Sequence, residues 1–315
     1  MIEIALIVCF LIAFGIGSND ASNALGICIG SGILKFKKAI FLFGILVFLG
    51  ILLNGEKVMK TVGKDLVETS PWTTIYSLTI STFLILTSNL KRVPLSTHQV
   101  IIGSLIGAGV AHHLKVNWEA LLKVVLSWII SPLMATLISF SLYLFLEKTL
   151  SKLPFLKLEK LLRIFLILSA GLISYNTGAN ELATVLGPAI YIGVPLNLPL
   201  IFAIASFIVF LGAFLLSYRV IETIGKGITS LDPFSGFTAQ LGAGICIFIF
   251  TLLGMPISTT YCIIGAISGV GLTKGLRTIK LSLIKKIILN WFLAPISAFI
   301  ISYLFSIFIS QYIKY

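Results

Sequence analysis

Apolar stretches succeed one another along almost the whole sequence, separated by connections too short to fold alone. They lie near 3–17, 20–34, 38–54, 72–90, 96–112 and 118–147, then near 163–178, 181–195, 198–221, 234–253, 258–273 and 281–311. Such a chain must bury a continuous apolar surface, and composition decides in what. Hydrophobic residues make up 58% of the sequence and charged residues 11%, against roughly 45–50% and about 25% in soluble domains. So few charges cannot cover so much apolar surface in water. The sequence therefore reads as an all-α, polytopic transmembrane helical bundle, a multi-pass protein of the cell membrane with the lipid bilayer as its solvent.

A net charge of +12 invites a nucleic-acid reading. The basic residues instead sit in short connections: Lys35, Lys37 and Lys38; Lys57, Lys60 and Lys64; Lys91 and Arg92; Lys148 to Arg163; Lys274 to Lys286. That is how orientation-setting charge is placed in membrane proteins, so no nucleic-acid partner is expected. The N-terminus is apolar from Ile4 but lacks the basic lead of a cleavable signal peptide. Cys9, Cys28, Cys246 and Cys262 lie in apolar runs at no metal-ligand spacing and read as small buried residues.

A bilayer core of about 30 Å takes roughly 20 helical residues to cross. Several stretches are shorter and meet in pairs at polar breaks: 3–17/20–34, 72–90/96–112, 163–178/181–195 and 234–253/258–273. Broken or re-entrant helices survive at membrane depth only where protein or a watery cavity satisfies the freed backbone, so the breaks mark where a polar site belongs, at the midplane.

The two sets of stretches are copies. Gly17-x-Asn19-Asp20 then Gly26 matches Gly178-x-Asn180-Glu181 then Gly187, and Thr61-Val62-Gly63-Lys64 matches Thr223-Ile224-Gly225-Lys226. Pro94-x-Ser96-Thr97, with Gly103, Gly107 and Gly109, matches Pro256-x-Ser258-Thr259, with Gly265, Gly269 and Gly271. Trp128 and Pro132 match Trp291 and Pro295, and the offset holds at 161 to 163 residues throughout. The division is a first repeat at 1–150, a short basic connector at 151–163 and a second repeat at 164–315, in one membrane domain. Lys35-Phe36-Lys37-Lys38 stands where the other half has Pro195-Leu196-Asn197-Leu198-Pro199. Unequal basic content in equivalent loops favours two inverted repeats, a plan used by secondary transporters. The basic 148–163 segment is then cytoplasmic, or a short interfacial helix.

Asp20 and Glu181 are the acidic residues that fall within the apolar stretches at equivalent places. Helix capping by Asn19 or Asp20 explains one polar residue. It does not explain an Asn-carboxylate pair in both copies, followed by Asn23 in one and Thr184 in the other, and a carboxylate at membrane depth points to function. Asn19, Asp20 and Asn23 could bind a hard cation such as sodium, with Asn180, Glu181 and Thr184 as the counterpart set. A proton carried on either carboxylate is the alternative. The second motif, Pro94-Leu95-Ser96-Thr97-His98 and Pro256-Ile257-Ser258-Thr259-Thr260, breaks one helix and opens another. Its hydroxyls cap a helix start, and a helix start also offers an anion free N–H donors and a positive dipole end. Two such starts could hold one tetrahedral oxyanion between them.

These motifs resemble the inorganic phosphate transporter (PiT) family, marked by duplicated Gly-x-Asn-Asp-x-x-Asn-Ala and Pro-x-Ser-Thr-Thr signatures. The resemblance runs end to end and includes Gly236-Phe237-Thr238-Ala239-Gln240. It implies symport of inorganic phosphate with sodium or a proton and no other cofactor. It implies cation binding at Asn19, Asp20, Asn23, Asn180, Glu181 and Thr184, and phosphate binding at Ser96, Thr97, Ser258, Thr259 and Thr260. Glu181 replaces the usual Asp, Thr184 the usual Asn and Gln240 an acidic residue, while His98 takes the place of a second Thr; His98 and Gln240 are accessory candidates. Relatives of the family carry sulfate, so a sulfate or other oxyanion permease is the alternative. A channel would need a continuous polar lining, which clustered polar residues do not supply. An enzyme is not expected: there is no His-Glu-x-x-His motif, and only Ser96 beside His98 hints at a nucleophile and base. A homodimer is among the assemblies the sequence allows. His112 and His113 are expected to face water, and the small-xxx-small glycines to serve helix packing.

Overall fold

The computed structural model describes residues 2–68, 70–90, 95–150, 152–192, 197–228, 232–275 and 281–311. Lys91, Arg92, Pro94, Pro195, Leu196, Arg277 and Lys280 lie outside the described residues, as do the side chains of Thr223–Lys226, Lys285 and Lys286.

The first repeat contains α1 (Ile2–Gly30), α2 (Phe36–Asn54), α3 (Glu56–Lys60), a π segment (Thr61–Asp65), α4 (Pro71–Leu90), α5 (Thr97–Ala111) and α6 (Trp118–Leu150). The second contains α7 (Phe155–Asn176), a π segment (Thr177–Leu182), α8 (Ala183–Ile190), α9 (Leu198–Ile228), α10 (Pro233–Leu252), α11 (Thr259–Thr273) and α12 (Leu281–Ser310). Among the described residues, α1, α2, α6, α9, α10 and α12 contain segments long and apolar enough to cross a bilayer. The protein is thus a multi-pass helical membrane protein. Each 15-residue helix, α5 and α11, extends only about 22 Å, short of the bilayer's roughly 30 Å.

Apolar and polar side chains are sorted as a bilayer requires. Leu133, Leu137 and Phe145 of α6 and Phe292, Leu293 and Leu304 of α12 are exposed, while Thr74, Ser77, Ser139, Ser174, Ser217 and Ser302 are fully buried. The buried hydroxyls mostly return their protons to carbonyls one turn back, as Ser81 does to Ser77 at 2.7 Å and Ser174 to Ala170 at 2.7 Å.

Of the four expected breaks, two interrupt the chain, between α4 and α5 and between α10 and α11. The third is milder: α7, the π segment and α8 run on through Thr177–Leu182, which adds a wide turn at Glu181. The fourth is absent, since α1 passes through Asn19 and Asp20 as continuous helix. Neither residue is therefore a helix cap. Residues 155–163 of the expected connector form the first turns of α7, where Arg163 meets Glu159 at 3.0 Å. His113 is exposed as expected, but His112 is half-buried with its ring stacked on Tyr76.

Equivalent residues of the two repeats make equivalent contacts. A side chain at Gly17 would collide with the Val209 carbonyl, and one at Gly178 with the Val47 carbonyl. Gly103 lies against Pro295 and Gly107 against Phe299, while Gly265 lies against Pro132 and Gly269 against Thr136. So α5 runs parallel to α12 and α11 runs parallel to α6, each short helix packed on the long helix of the other repeat. Thr136 donates to the Gly265 carbonyl at 2.8 Å and Ser139 to that of Ala266 at 2.7 Å, tying α6 to α11.

Candidate functional site

The first turns of α5 and α11 are joined by one side-chain contact. Ser96 and Ser258 are extended residues immediately before α5 and α11. Ser258 caps its helix by accepting from the Tyr261 amide at 3.4 Å, whereas the Ser96 hydroxyl makes no cap bond. Gln99 and Tyr261 are equivalents 162 residues apart, and the Tyr261 hydroxyl reaches Gln99 Oε1 at 3.4 Å. The pair was hidden from motif comparison because amide and phenol share no chemistry; only the constant offset could have flagged it. The α11 start is braced from outside: Trp128 Nε1 donates to the Pro256 carbonyl at 2.9 Å.

The Asn-carboxylate residues surround these starts. Asn23 donates from Nδ2 to Asp20 Oδ1 at 3.1 Å and to Thr260 Oγ1 at 3.2 Å, joining α1 to the start of α11. Asp20 and its equivalent Glu181 lie within electrostatic reach of one another. Glu181 in turn lies beside Thr259, with its Oε1 3.8 Å from His98 Nδ1. Asp20, Glu181, Ser96, His98, Ser258 and Thr259 are all buried, and Asn19, Asn23, Thr97 and Thr260 half-buried. Two carboxylates, three hydroxyls on helix starts and one imidazole thus come from both repeats into one buried locality.

Asn180 is different. Its Nδ2 donates to Thr251 Oγ1 at 2.8 Å and to the Met255 carbonyl at 3.0 Å. Its Oδ1 accepts from the Ile257 amide at 3.1 Å and faces His98 Nε2 at 2.9 Å. Two donors and two lone pairs are all that an amide has. Expected as a cation ligand, the Asn180 side chain is instead saturated, and it braces the 253–258 break against α5. Thr184 gives its hydroxyl proton to the Asn180 carbonyl at 2.8 Å, which leaves only its oxygen lone pairs for a cation. Gln240 accepts from Ser169 at 3.1 Å and donates to the Ala24 carbonyl, so it ties α10 to α7 and α1. No group of three or more His, Cys, Asp or Glu suited to a metal ion occurs among the described residues. A monovalent cation needs no such cluster.

Some polar atoms at the helix starts are buried with no hydrogen-bond partner: Ser96 Oγ, Thr259 Oγ1 and His98 Nδ1. An unpaired buried polar atom costs about 1–3 kcal/mol. A bound oxyanion would satisfy the two hydroxyls, and helix starts are where such an anion binds.

A helical membrane bundle with paired buried carboxylates beside two opposed helix starts defines a carrier of small ions. More particularly, the chain belongs to the phosphate transporter family, whose model matches residues 16–302. A Methanocaldococcus jannaschii protein provisionally named a phosphate permease is 38% identical over 96% of each chain. The sulfate permease CysP of Bacillus subtilis is 31% identical over 95% of this chain and 86% of that protein. A solved structure of the sodium-dependent phosphate transporter superposes with a TM-score of 0.84 at 26% identity, covering 99% of each chain.

Proposed function

We propose that this chain is a symporter that couples the passage of inorganic phosphate to that of sodium, by alternating access between two inverted repeats, 1–150 and 164–315. The observation that carries the reading is that groups of both halves come to one buried place: Asp20 and Glu181 lie close enough to interact electrostatically, and Tyr261 of the α11 start reaches Gln99 of the α5 start. Family membership and the likeness to a sodium-dependent phosphate transporter support phosphate as substrate and sodium as the coupling ion.

Helix direction supports the inverted arrangement. The connection of residues 112–117 is short, so α6 must return across the membrane opposite to α5. Since α11 runs parallel to α6, the equivalent helices α5 and α11 run oppositely, as an axis in the membrane plane demands.

The roles follow from charge. Empty, the site holds two carboxylates and no Lys or Arg among the residues brought together, which repels an anion. A cation held by Asp20 with Asn19 and Asn23, and a second charge neutralised at Glu181, removes that repulsion. Phosphate then bridges Ser96 and Thr97 on one start and Ser258, Thr259 and Thr260 on the other. Charge neutralisation therefore orders the events: cation first, anion second.

A sulfate carrier is the second reading, favoured by the Bacillus subtilis relative. Purified protein in proteoliposomes, given labelled phosphate under a sodium gradient and then a proton gradient, tests the proposal. Uptake under the sodium gradient is expected. Uptake driven only by protons would reassign the coupling ion, and no phosphate uptake by folded protein under either gradient would refute the reading.

A further inference from the structure

At neutral pH inorganic phosphate and arsenate carry at least one O–H, and sulfate carries none. A pocket made only of donors accepts all three. A pocket that also presents a buried acceptor accepts only an anion with a proton to donate, because an acceptor set against a bare oxyanion oxygen leaves both unpaired.

Asn180 fixes which kind of group His98 presents. The Met255 carbonyl only accepts, and Thr251 already gives its proton to the Ile247 carbonyl at 2.8 Å, so both need a donor from Asn180. The Ile257 amide only donates, so it needs the oxygen. The amide therefore has one orientation, and the atom 2.9 Å from His98 Nε2 is Oδ1, an acceptor. Nε2 must carry the ring hydrogen.

That leaves Nδ1. It is buried, has no hydrogen-bond partner, and lies 3.8 Å from Glu181 Oε1, beyond hydrogen-bonding reach. With its one hydrogen on Nε2, the neutral ring keeps a bare lone pair on Nδ1. The unpartnered Ser96 hydroxyl sits two residues before His98, and the Thr259 hydroxyl lies beside the same Glu181 carboxylate from the other repeat. At the equivalent position of the second repeat, Thr260 has a hydroxyl that can donate or accept and discriminates nothing.

We propose that His98 is a specificity-determining residue whose Nδ1 accepts a hydrogen bond from the O–H of a bound, protonated oxyanion, so that this chain takes phosphate and arsenate and rejects sulfate. The proposal rests on the phosphate-carrier reading above.

The test is competition against labelled phosphate for uptake into proteoliposomes under an inward sodium gradient. For the wild type, arsenate should compete about as well as phosphate, and sulfate about 100-fold more weakly or worse. His98→Thr, which replaces the acceptor with a two-way hydroxyl, should narrow the sulfate-to-arsenate ratio at least about tenfold. Sulfate competing as well as arsenate in the wild type overturns the assignment of His98 while leaving the phosphate carrier intact. An unchanged ratio in a transporting His98→Thr protein does the same. Should that variant not fold, the wild-type ratio alone decides. No phosphate uptake by the wild type refutes the carrier reading, and the His98 proposal with it.

Discussion

Replacing Asn180 by alanine removes one side chain and four hydrogen bonds, those with Thr251, Met255, Ile257 and His98. Side-chain hydrogen bonds inside membrane proteins average about 0.6 kcal/mol, which puts four of them near 2.4 kcal/mol. A second figure comes from what is orphaned. Thr251 keeps its bond to Ile247, but the Met255 carbonyl, the Ile257 amide and His98 Nε2–H do not keep theirs, at about 1–3 kcal/mol each. Water entering the vacated space relieves part of the second figure, so the expected loss is about 2–4 kcal/mol, toward the lower value. For a protein of this size that is a fall of roughly 3–6 °C in unfolding midpoint, measurable by scanning fluorimetry in detergent. Thr184→Ala is the control: its single bond lies within its own helix, so it should cost under about 1 kcal/mol. An Asn180→Ala protein as stable as wild type, yet insensitive to sodium, would refute the reasoning and make the amide a cation ligand after all.

Asp20→Asn keeps the shape of the site but removes a charge, and should abolish sodium-driven uptake while the protein still folds; full coupling in that variant removes Asp20 from the mechanism. Gly103→Ala and Gly265→Ala each press a methyl onto a carbonyl of the opposite repeat, at Pro295 and Pro132. Each should destabilise by about 1–3 kcal/mol, and by similar amounts, in the same unfolding assay. At the membrane surface, partial burial works against the charge of Asp232, but Lys274 and the Ser235 hydroxyl and amide outweigh it and hold its carboxyl below the usual range. Its stabilising contribution is therefore full at neutral pH and fades as pH falls below about 4. Unfolding midpoints of wild type and Asp232→Asn should differ by a constant amount above that range and converge beneath it. All four cysteines are free and buried, so a maleimide reagent should label the folded protein only on unfolding, as a mass shift reports.

Much of this protein is legible in its sequence because the constraints are one-dimensional. Lipid demands apolar runs of set length, and a duplication leaves its offset in the numbering, so the helices, the repeat and the paired motifs can be read without coordinates. Asp20 and Glu181 stand out because a carboxylate among apolar residues carries its cost wherever the chain folds. The breaks were legible only in part. Proline and hydroxyl signals mark 94–97 and 256–259, but nothing local distinguishes α1, which runs straight through Asn19-Asp20, from the π segment that carries Asn180-Glu181.

What tertiary structure alone decided is how each polar group is used. Asn19 and Asn180 stand at equivalent places in two copies of one motif. Yet the 253–258 break folds onto Asn180 and, together with Thr251 and His98, takes up all of its hydrogen bonds, which no property of an asparagine foretells. His98 is the same case. As a residue type it could donate, accept or carry charge, and its neighbours in sequence leave that open. Asn180, from the other repeat and 82 residues away, fixes the proton on Nε2 and leaves Nδ1 bare. Sequence determines which polar groups enter the membrane, since each must be present in the chain to act there. Folding determines which of them remain unsatisfied, since a hydrogen bond consumed by protein is lost to a substrate.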